Sequence, residues 1–295
     1  MKILVIGGSY FLGRWFVELA RQNHEITVLN RGNVPIGLKD VREWKADRHD
    51  IGALKAYAKE PFDCIVDFCA YAQGDIRTIS DVFPAGKYIY ISTVDVYKKG
   101  LGDVINEDSP LENRELFGDV GAYISGKAAL EKELRECCQN GISVRPGIIY
   151  GPANYAPREG MFFEWIMSER QIIVPRDATG SFQFIYVTDA AKGILKLCEA
   201  DKTEDSYNFC NAEPDNYDSF AEALHKAVDI DFAENRLDIV DILAEGIPLS
   251  FPLTKAESEI YDTARFDGLG VSTTPLDKGL KRAFSVVCPD SQISH

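Results

Sequence analysis

Apolar residues follow two alternating rhythms through the first half of the chain. KILVIGG at 2–8 is a nearly unbroken apolar run, the mark of a strand buried on both faces. RWFVELARQ at 14–22 repeats its apolar positions at helical spacing, and EITVLN at 25–30 returns to the strand pattern, so the first thirty residues predict a β-α-β unit. VREWKA (41–46) and FDCIVDFCA (62–70) predict strands around a helix in IGALKAYAKE (51–60). DIRTISDVF then leads to the apolar KYIYIST (87–93), a helix over 123–139 and the strand-like ISVRPGIIY (142–150). Strands alternating with helices imply an α/β fold, a Rossmann-type doubly wound parallel sheet covered on both faces.

Beyond Tyr150 the rhythm loosens. GPANYAPREG (151–160) reads as a loop, FQFIYVTDAAKGILKLCE (182–199) as strand then helix, and TTPLDKGLKRAFSVV (273–287) as a final helix begun near Pro275 with a short polar tail after it. We therefore expect a dinucleotide-binding domain over 1–150, to which later chain can return, and a smaller, mainly substrate-binding lobe over 151–295. No repeat or low-complexity segment interrupts this plan.

With 295 residues, 45% of them hydrophobic, the chain can bury a large core. No apolar run approaches the ~18 residues of a membrane span, and Met1 leads straight into a strand pattern, so a soluble cytoplasmic protein with no membrane partner is expected. A net charge of −14 opposes a phosphate backbone, which makes nucleic acid a poor partner. The seven cysteines (64, 69, 137, 138, 198, 210, 288) form no C-x-x-C pair, and an odd count suggests free thiols. The four histidines (24, 49, 225, 295) show no metal-ligand spacing, so no metal is expected.

Two short stretches carry chemistry. GGSYFLG at 7–13 lies between the first strand and first helix, where a dinucleotide pyrophosphate meets a helix N-terminus. Gly7 permits the tight turn and Gly13 close helix–strand packing, while Tyr10 replaces the middle glycine of the usual fingerprint. A purely structural glycine turn would read the same way. At the end of the second strand, Asn30 and Arg31 stand where an NAD site normally places an acid. Arg31 either meets the 2′-phosphate of NADP or is a solvated turn residue, and we lean to NADP over NAD.

In GAYISGKAAL (121–130), Tyr123 and Lys127 are four apart, so both project from one helical face and the ammonium can favour an ionised phenol. An amphipathic surface helix has the same spacing. Small Ser125 and Gly126 suit a face pressed against sheet or cofactor. Thr93, ending a strand, can bond a substrate oxygen that Tyr123 protonates or deprotonates, or it can merely cap the next segment.

Taken in order, GGSYFLG, ADRHD, DFCAYA, YIYISTVDVY, YISGK, RPGIIYGP and FIYVTDAAKGIL resemble the extended short-chain dehydrogenase/reductase superfamily along nearly the whole chain. The likeness is greatest to the NAD-dependent epimerase/dehydratase proteins, in an atypical branch that includes RNA-associated chloroplast proteins. The resemblance implies a catalytic trio of Thr93, Tyr123 and Lys127. It implies cofactor contacts from Gly7, Ser9, Tyr10, Phe11, Leu12, Gly13, Asn30 and Arg31 at the glycine turn and second strand. Asp47 and Arg48 would approach adenine, Cys69, Ala70 and Tyr71 would line the cofactor, and Lys127, Pro146 and Gly147 would meet the nicotinamide ribose and ring. A homodimer is implied by analogy.

The sequence also departs from this family. Phe182 and Ile148 replace an arginine and an asparagine that hold a substrate diphosphate in nucleotide-sugar members; Arg158 or Arg176 could substitute, or be surface charge. Asp95, two after Thr93, is either an extra acid/base or a solvated loop carboxylate. The expected activity is hydride transfer to or from a secondary alcohol or ketone of a sugar or nucleotide-sugar type substrate. The alternatives are an NADPH-dependent reductase of a non-nucleotide carbonyl compound, its apolar pocket built from Phe182, Ile148 and MFFEWIM (161–167), and a non-catalytic cofactor-binding scaffold.

Overall fold

A computed structural model describes residues 1–59, 61–102 and 104–287; Cys288, His295 and the polar tail lie outside the described residues. Its centre is a seven-stranded parallel sheet. The strands are β1 (Lys2–Ile6), β2 (Glu25–Asn30), β3 (Arg42–Lys45), β4 (Phe62–Asp67), β5 (Ala85–Ile91), β6 (Gly141–Pro146) and, after a second parallel pair β7 (Ile148–Tyr150), β8 (Gln171–Pro175) and β9 (Phe184–Tyr186), β10 (Ser206–Phe209). Their order is β10-β6-β5-β4-β1-β2-β3, so the chain runs outward from β1 to β3 and then crosses back to β4 on the other side of β1. The carboxyl ends of β1 and β4 thus flank the crevice where open α/β sheets bind ligands.

Alternation along β1 shows why both faces must be covered. Ile3 and Val5 pack with Phe16 and Val17 of α1 (Phe11–Ala20), whereas Leu4 and Ile6 pack on the opposite face with Leu54 of α2 (Ile51–Tyr57), Ile79 of α3 (Asp75–Val82) and Leu130 of α4 (Gly118–Cys137). After α5 (Glu159–Glu169), α6 (Val187–Glu199) adds Ile194 and Leu197 to the α1 face, and β10 pairs with β6, so later chain completes the sheet. Phe16, Ile194 and Leu197 are fully buried; at roughly 25 cal/mol per Å² of apolar surface, each contributes about 1.5–3 kcal/mol of transfer free energy.

The remaining elements build a second core. α7 (Tyr217–Ala227), α10 (Leu276–Val287) and α5 enclose Phe162, Phe163, Phe182, Phe184, Phe220 and Phe284, and β11 (Ala233–Leu237) pairs with β8, while α8 (Ile239–Ala244) and α9 (Ala264–Asp267) are short connectors. Met161, Phe162, Phe163 and Ile166 are buried there, which corrects the expectation that 161–167 supplies an apolar pocket: these rings pack on one another.

Several boundaries differ from the sequence reading, three of them near the site or its supports. Helix α4 starts at Gly118, five residues before the expected 123: Gly118 takes the left-handed turn at φ 75°, and Gly121 is already helical, where a Cβ would lie 2.8 Å from Leu116. Helix α2 ends at Tyr57, before the expected 60. The strand expected over 142–150 breaks at Gly147. Pro146 ends β6, Gly147 N–H donates to Phe209 O, and a Cβ on Gly147 would sit 2.7 Å from Gln183 O and 2.8 Å from Cys210 Sγ. Only glycine lets the chain step from the central sheet into β7. Among the described residues no helix is long and apolar enough to cross a membrane.

Candidate active site

A cavity of about 1350 Å³ opens along the carboxyl ends of β1, β2, β4 and β5. At its centre lies the glycine turn. Gly7 and Gly8 adopt φ 95° and 82°, and a Cβ on Gly7 would collide with Cys69 Sγ. A Cβ on Gly13 would lie 2.9 Å from Gly8 Cα, so the start of α1 sits directly on the turn, its amide end facing the cavity. Side chains would fill this cradle, whose open turn at a helix N-terminus has the shape a dinucleotide pyrophosphate needs. Tyr10 is 62% exposed at the rim; Phe11 opens the helix at φ 35° and, with Leu12, lines the cavity. Ser9 is a loop tie as well as a lining residue: it donates to Val34 O and accepts from Asn30.

Around the carboxyl ends of β2 and β3 most polar groups are already committed. Asn30 Nδ2 donates to Ser9 and Glu43, and its Oδ1 accepts from Gly32 N–H, so Asn30 shapes the loop. Arg31 is exposed on the rim and, with exposed Asp47, lines the cavity. Arg48 is different: its guanidinium reaches both oxygens of Asp67 at 3.2 and 2.8 Å and Asp75 O at 2.8 Å, which raises its pKa further and anchors the ends of β3 and β4. Burial, then the charge of Asp67, pushes the Cys69 thiol up to about 11, so it stays protonated. Ala70 is fully buried, off the cavity wall, and acts through its carbonyl, which accepts from Lys127 at 3.2 Å. Tyr71 is exposed over the mouth, its ring centre 4.7 Å from Lys127 Nζ.

Thr93, Tyr123 and Lys127 converge beyond the glycine turn. Thr93 donates to Asp95 Oδ2 at 2.9 Å and accepts from Asp95 N–H, so Asp95 competes with any substrate carbonyl for the threonine proton. Burial first, then the Asp95 carboxylate, pushes the Tyr123 phenol up to about 12, while Arg158 and the Thr93 hydroxyl pull it down. Burial lowers Lys127 to about 8. Its ammonium bonds Ala70 O and Ile91 O, lies 5.8 Å from the Tyr123 ring centre and makes no hydrogen bond to the phenol. Gly126 allows the Tyr71 backbone to approach α4: an added Cβ would be 3.1 Å from Tyr71 O. Ser125 instead ties down the preceding loop, accepting from Leu116 N–H and donating to Arg114 O.

Pro146, Gly147, Ile148, Arg158 and Phe182 line the same cavity; Arg158 donates to Ile149 O, and Phe182 stacks on Phe251 at 4.6 Å. Arg176 corrects the sequence reading. It lies off the cavity, paired with Asp238 and Arg236 O, because the pairing of β8 with β11 sets it beside those residues. Sequence reasoning missed Lys99, Tyr155, Glu257, Glu259 and Tyr261, which also line the cavity and belong to segments without a motif. It also missed the buried pair Arg145–Glu131 behind Thr93, although an arginine inside the apolar run ISVRPGIIY was a readable signal. Among the described residues no cluster of three or more His, Cys, Asp or Glu could hold a metal ion.

A family model, the NAD dependent epimerase/dehydratase family, matches residues 79–210, a span that includes Thr93, Tyr123, Lys127 and Gly147. Over that stretch, a little under half of the chain, the sequence is similar to this family. It is 29% identical over 247 residues to the chloroplast stem-loop binding protein of 41 kDa b of Arabidopsis thaliana, a match covering 77% of this chain and 63% of that protein. It is 25% identical over 234 residues to UDP-glucuronic acid decarboxylase 6 of the same plant, covering 69% and 67% of the two chains. In fold it is similar to the UDP-glucuronic acid 4-epimerase of Bacillus cereus in complex with NAD, with a TM-score of 0.74 at 17% identity over 97% of this chain and 96% of that one. In this chain the glycine turn and the helix carrying Tyr123 and Lys127 line one cavity.

Proposed function

We propose that the protein is an NAD(P)-dependent oxidoreductase that transfers hydride to or from a secondary alcohol or ketone of a sugar-like substrate. The observation that carries this reading is the convergence of Thr93, Tyr123 and Lys127 on the cavity that the glycine turn opens. A bound nicotinamide supplies or accepts the hydride. Gly7, Gly13 and the start of α1 would hold the pyrophosphate, and Lys127 the ribose next to the reacting ring. Tyr123, protonated at neutral pH with its pKa near 12, gives its proton to a carbonyl oxygen in reduction and takes it back from the alcohol in oxidation. Thr93 positions that oxygen once its own proton turns from Asp95.

The finer parts of this reading rest on fewer residues. Asn30 is committed within its loop and no acid meets the ribose from the end of β2, while exposed Arg31 stands at the rim, which supports NADP over NAD. The resemblance suggests a homodimer by analogy. The test is to denature purified protein, identify any released nucleotide, and titrate NAD, NADP and their reduced forms. Retained NAD supports an epimerase that recycles its cofactor; empty protein that prefers NADPH supports a reductase. Protein that binds none of the four overturns the proposal.

A further inference from the structure

We propose that Glu259 reads a substrate hydroxyl, and that the site takes an uncharged sugar or polyol in place of a substrate carrying a diphosphate. This rests on the oxidoreductase reading above. Glu259 lines the same cavity as Thr93, Asp95 and Tyr123. Its side chain is only 7% exposed, and its two oxygens differ. Oε2 accepts from Lys99 Nζ at 2.6 Å and from the Tyr261 hydroxyl at 3.2 Å. Oε1 is buried with no hydrogen-bond partner. A buried carboxylate oxygen is costly unless a donor reaches it, and a ligand hydroxyl on the cavity side is such a donor.

Charge favours the same class. The carboxylates of Asp95, Glu257 and Glu259 line this end, against the cations Lys99 and Arg158. Lys99 is engaged with Glu259 and Arg158 with Ile149 O, and Phe182 presents a ring stacked on Phe251. A diphosphate would meet net negative charge, and drawing Lys99 to itself would strip Glu259 of its cation inside the wall. A neutral hydroxyl asks for neither. Lys99 is more than half exposed and bonds Oε2, so a hydroxyl donating to Oε1 leaves the Lys99 bond in place.

The experiment uses the full chain. Cofactor affinity is measured first; then D-glucose, myo-inositol, D-glucuronate and UDP-glucose are each added to protein loaded with the preferred oxidised cofactor, with reduction followed by nicotinamide absorbance and binding by thermal shift. Saturable reduction by a neutral probe is expected, with neither binding nor inhibition by UDP-glucose. Glu259→Leu should raise the neutral probe's KM by about tenfold or more, with kcat much less affected and cofactor Kd within about twofold. Glu259→Gln keeps the shape, its amide oxygen taking the bonds from Lys99 and Tyr261 and its NH2 donating to the substrate hydroxyl, and should hold KM within about threefold, which separates loss of the polar contact from misfolding. Failure to bind any dinucleotide would overturn the underlying reading and this inference with it. With dinucleotide bound, tight UDP-glucose binding, inertness of both neutral probes, or an unchanged KM in Glu259→Leu overturns this inference alone.

Discussion

The ammonium of Lys127 bonds the carbonyl oxygens of Ala70 and Ile91 and lies 5.8 Å from the ring centre of Tyr123, one helical turn before it. The pair therefore shares a face of α4 without sharing a hydrogen bond. Lysine influences the phenol through the field it sets up and through whatever it holds in place.

Tyr123→Phe removes the only atom of that ring that can exchange a proton. Turnover should fall by about three orders of magnitude or more while dinucleotide affinity stays within about twofold, since the partly exposed ring remains on the cavity wall. Steady-state rates alongside a binding titration check this, and a variant with parental kcat would remove Tyr123 from the chemistry.

Asp95 is the strongest charge raising the Tyr123 phenol. Asp95→Asn should lower that phenol's pKa, so the rise of alcohol oxidation with pH, which follows formation of tyrosinate, should begin at lower pH than in the parent. The same change weakens the acceptor that holds the Thr93 proton. A pH–rate profile that does not move would mean that Asp95 lies outside the field of Tyr123 during reaction.

Lys127 provides a test that needs no substrate. Burial holds the folded ammonium at about 8, below the ~10.4 of an unfolded chain, so between those values the unfolded state binds more protons and stability rises with pH. Against Lys127→Met, which lacks this titration, the parent should gain roughly 3 kcal/mol across that window, with no relative change below pH about 7. Denaturant unfolding of both proteins at a series of pH values measures the difference, and a constant gap would place the lysine in a wetter setting.

Much of this site was legible because the motifs coincide with the strand ends. Gly7 and Gly13 fall where β1 stops and α1 starts, and Thr93 falls two residues beyond β5, so the period change in the hydrophobic pattern locates them. The opposite wall was not legible. Glu259 and Tyr261 sit between α8 and α9 in chain with no helical or strand period, and Lys99 reaches Glu259 across 160 positions. Arg176 misled for a related reason: its neighbours in sequence say nothing of β11, which pairs with its strand and gives it Asp238. Tertiary pairing decided these residues, and no local signal carries it.

Arg31 decides between the cofactors in the proposed reading. Arg31→Ala should weaken NADPH binding by about tenfold and leave NADH within about twofold, because a 2′-phosphate loses its cation and a bare ribose loses nothing. Equal changes for both cofactors would make Arg31 an ordinary turn residue and shift the preference to NAD.

Behind Thr93, Arg145 of β6 and Glu131 of α4 form a buried ion pair with bonds of 2.9 and 2.6 Å. Glu131 also accepts from the hydroxyl of Ser92, beside Thr93, while Arg145 reaches Tyr97, whose hydroxyl donates to Asn208 of β10. Lys127 is one turn before Glu131 and bonds Ile91, the residue before Ser92, so the pair fixes the end of β5 against the helix that carries Tyr123. Arg145→Met should cost about 3–5 kcal/mol of stability in denaturant unfolding, because it strands the Glu131 carboxylate in the core. Adding Glu131→Gln removes the stranded charge and should recover part of that loss. If the double variant is no more stable than Arg145→Met alone, the cost lies in lost packing and in the bonds to Tyr97 and Glu107, and the carboxylate is not what makes the arginine necessary.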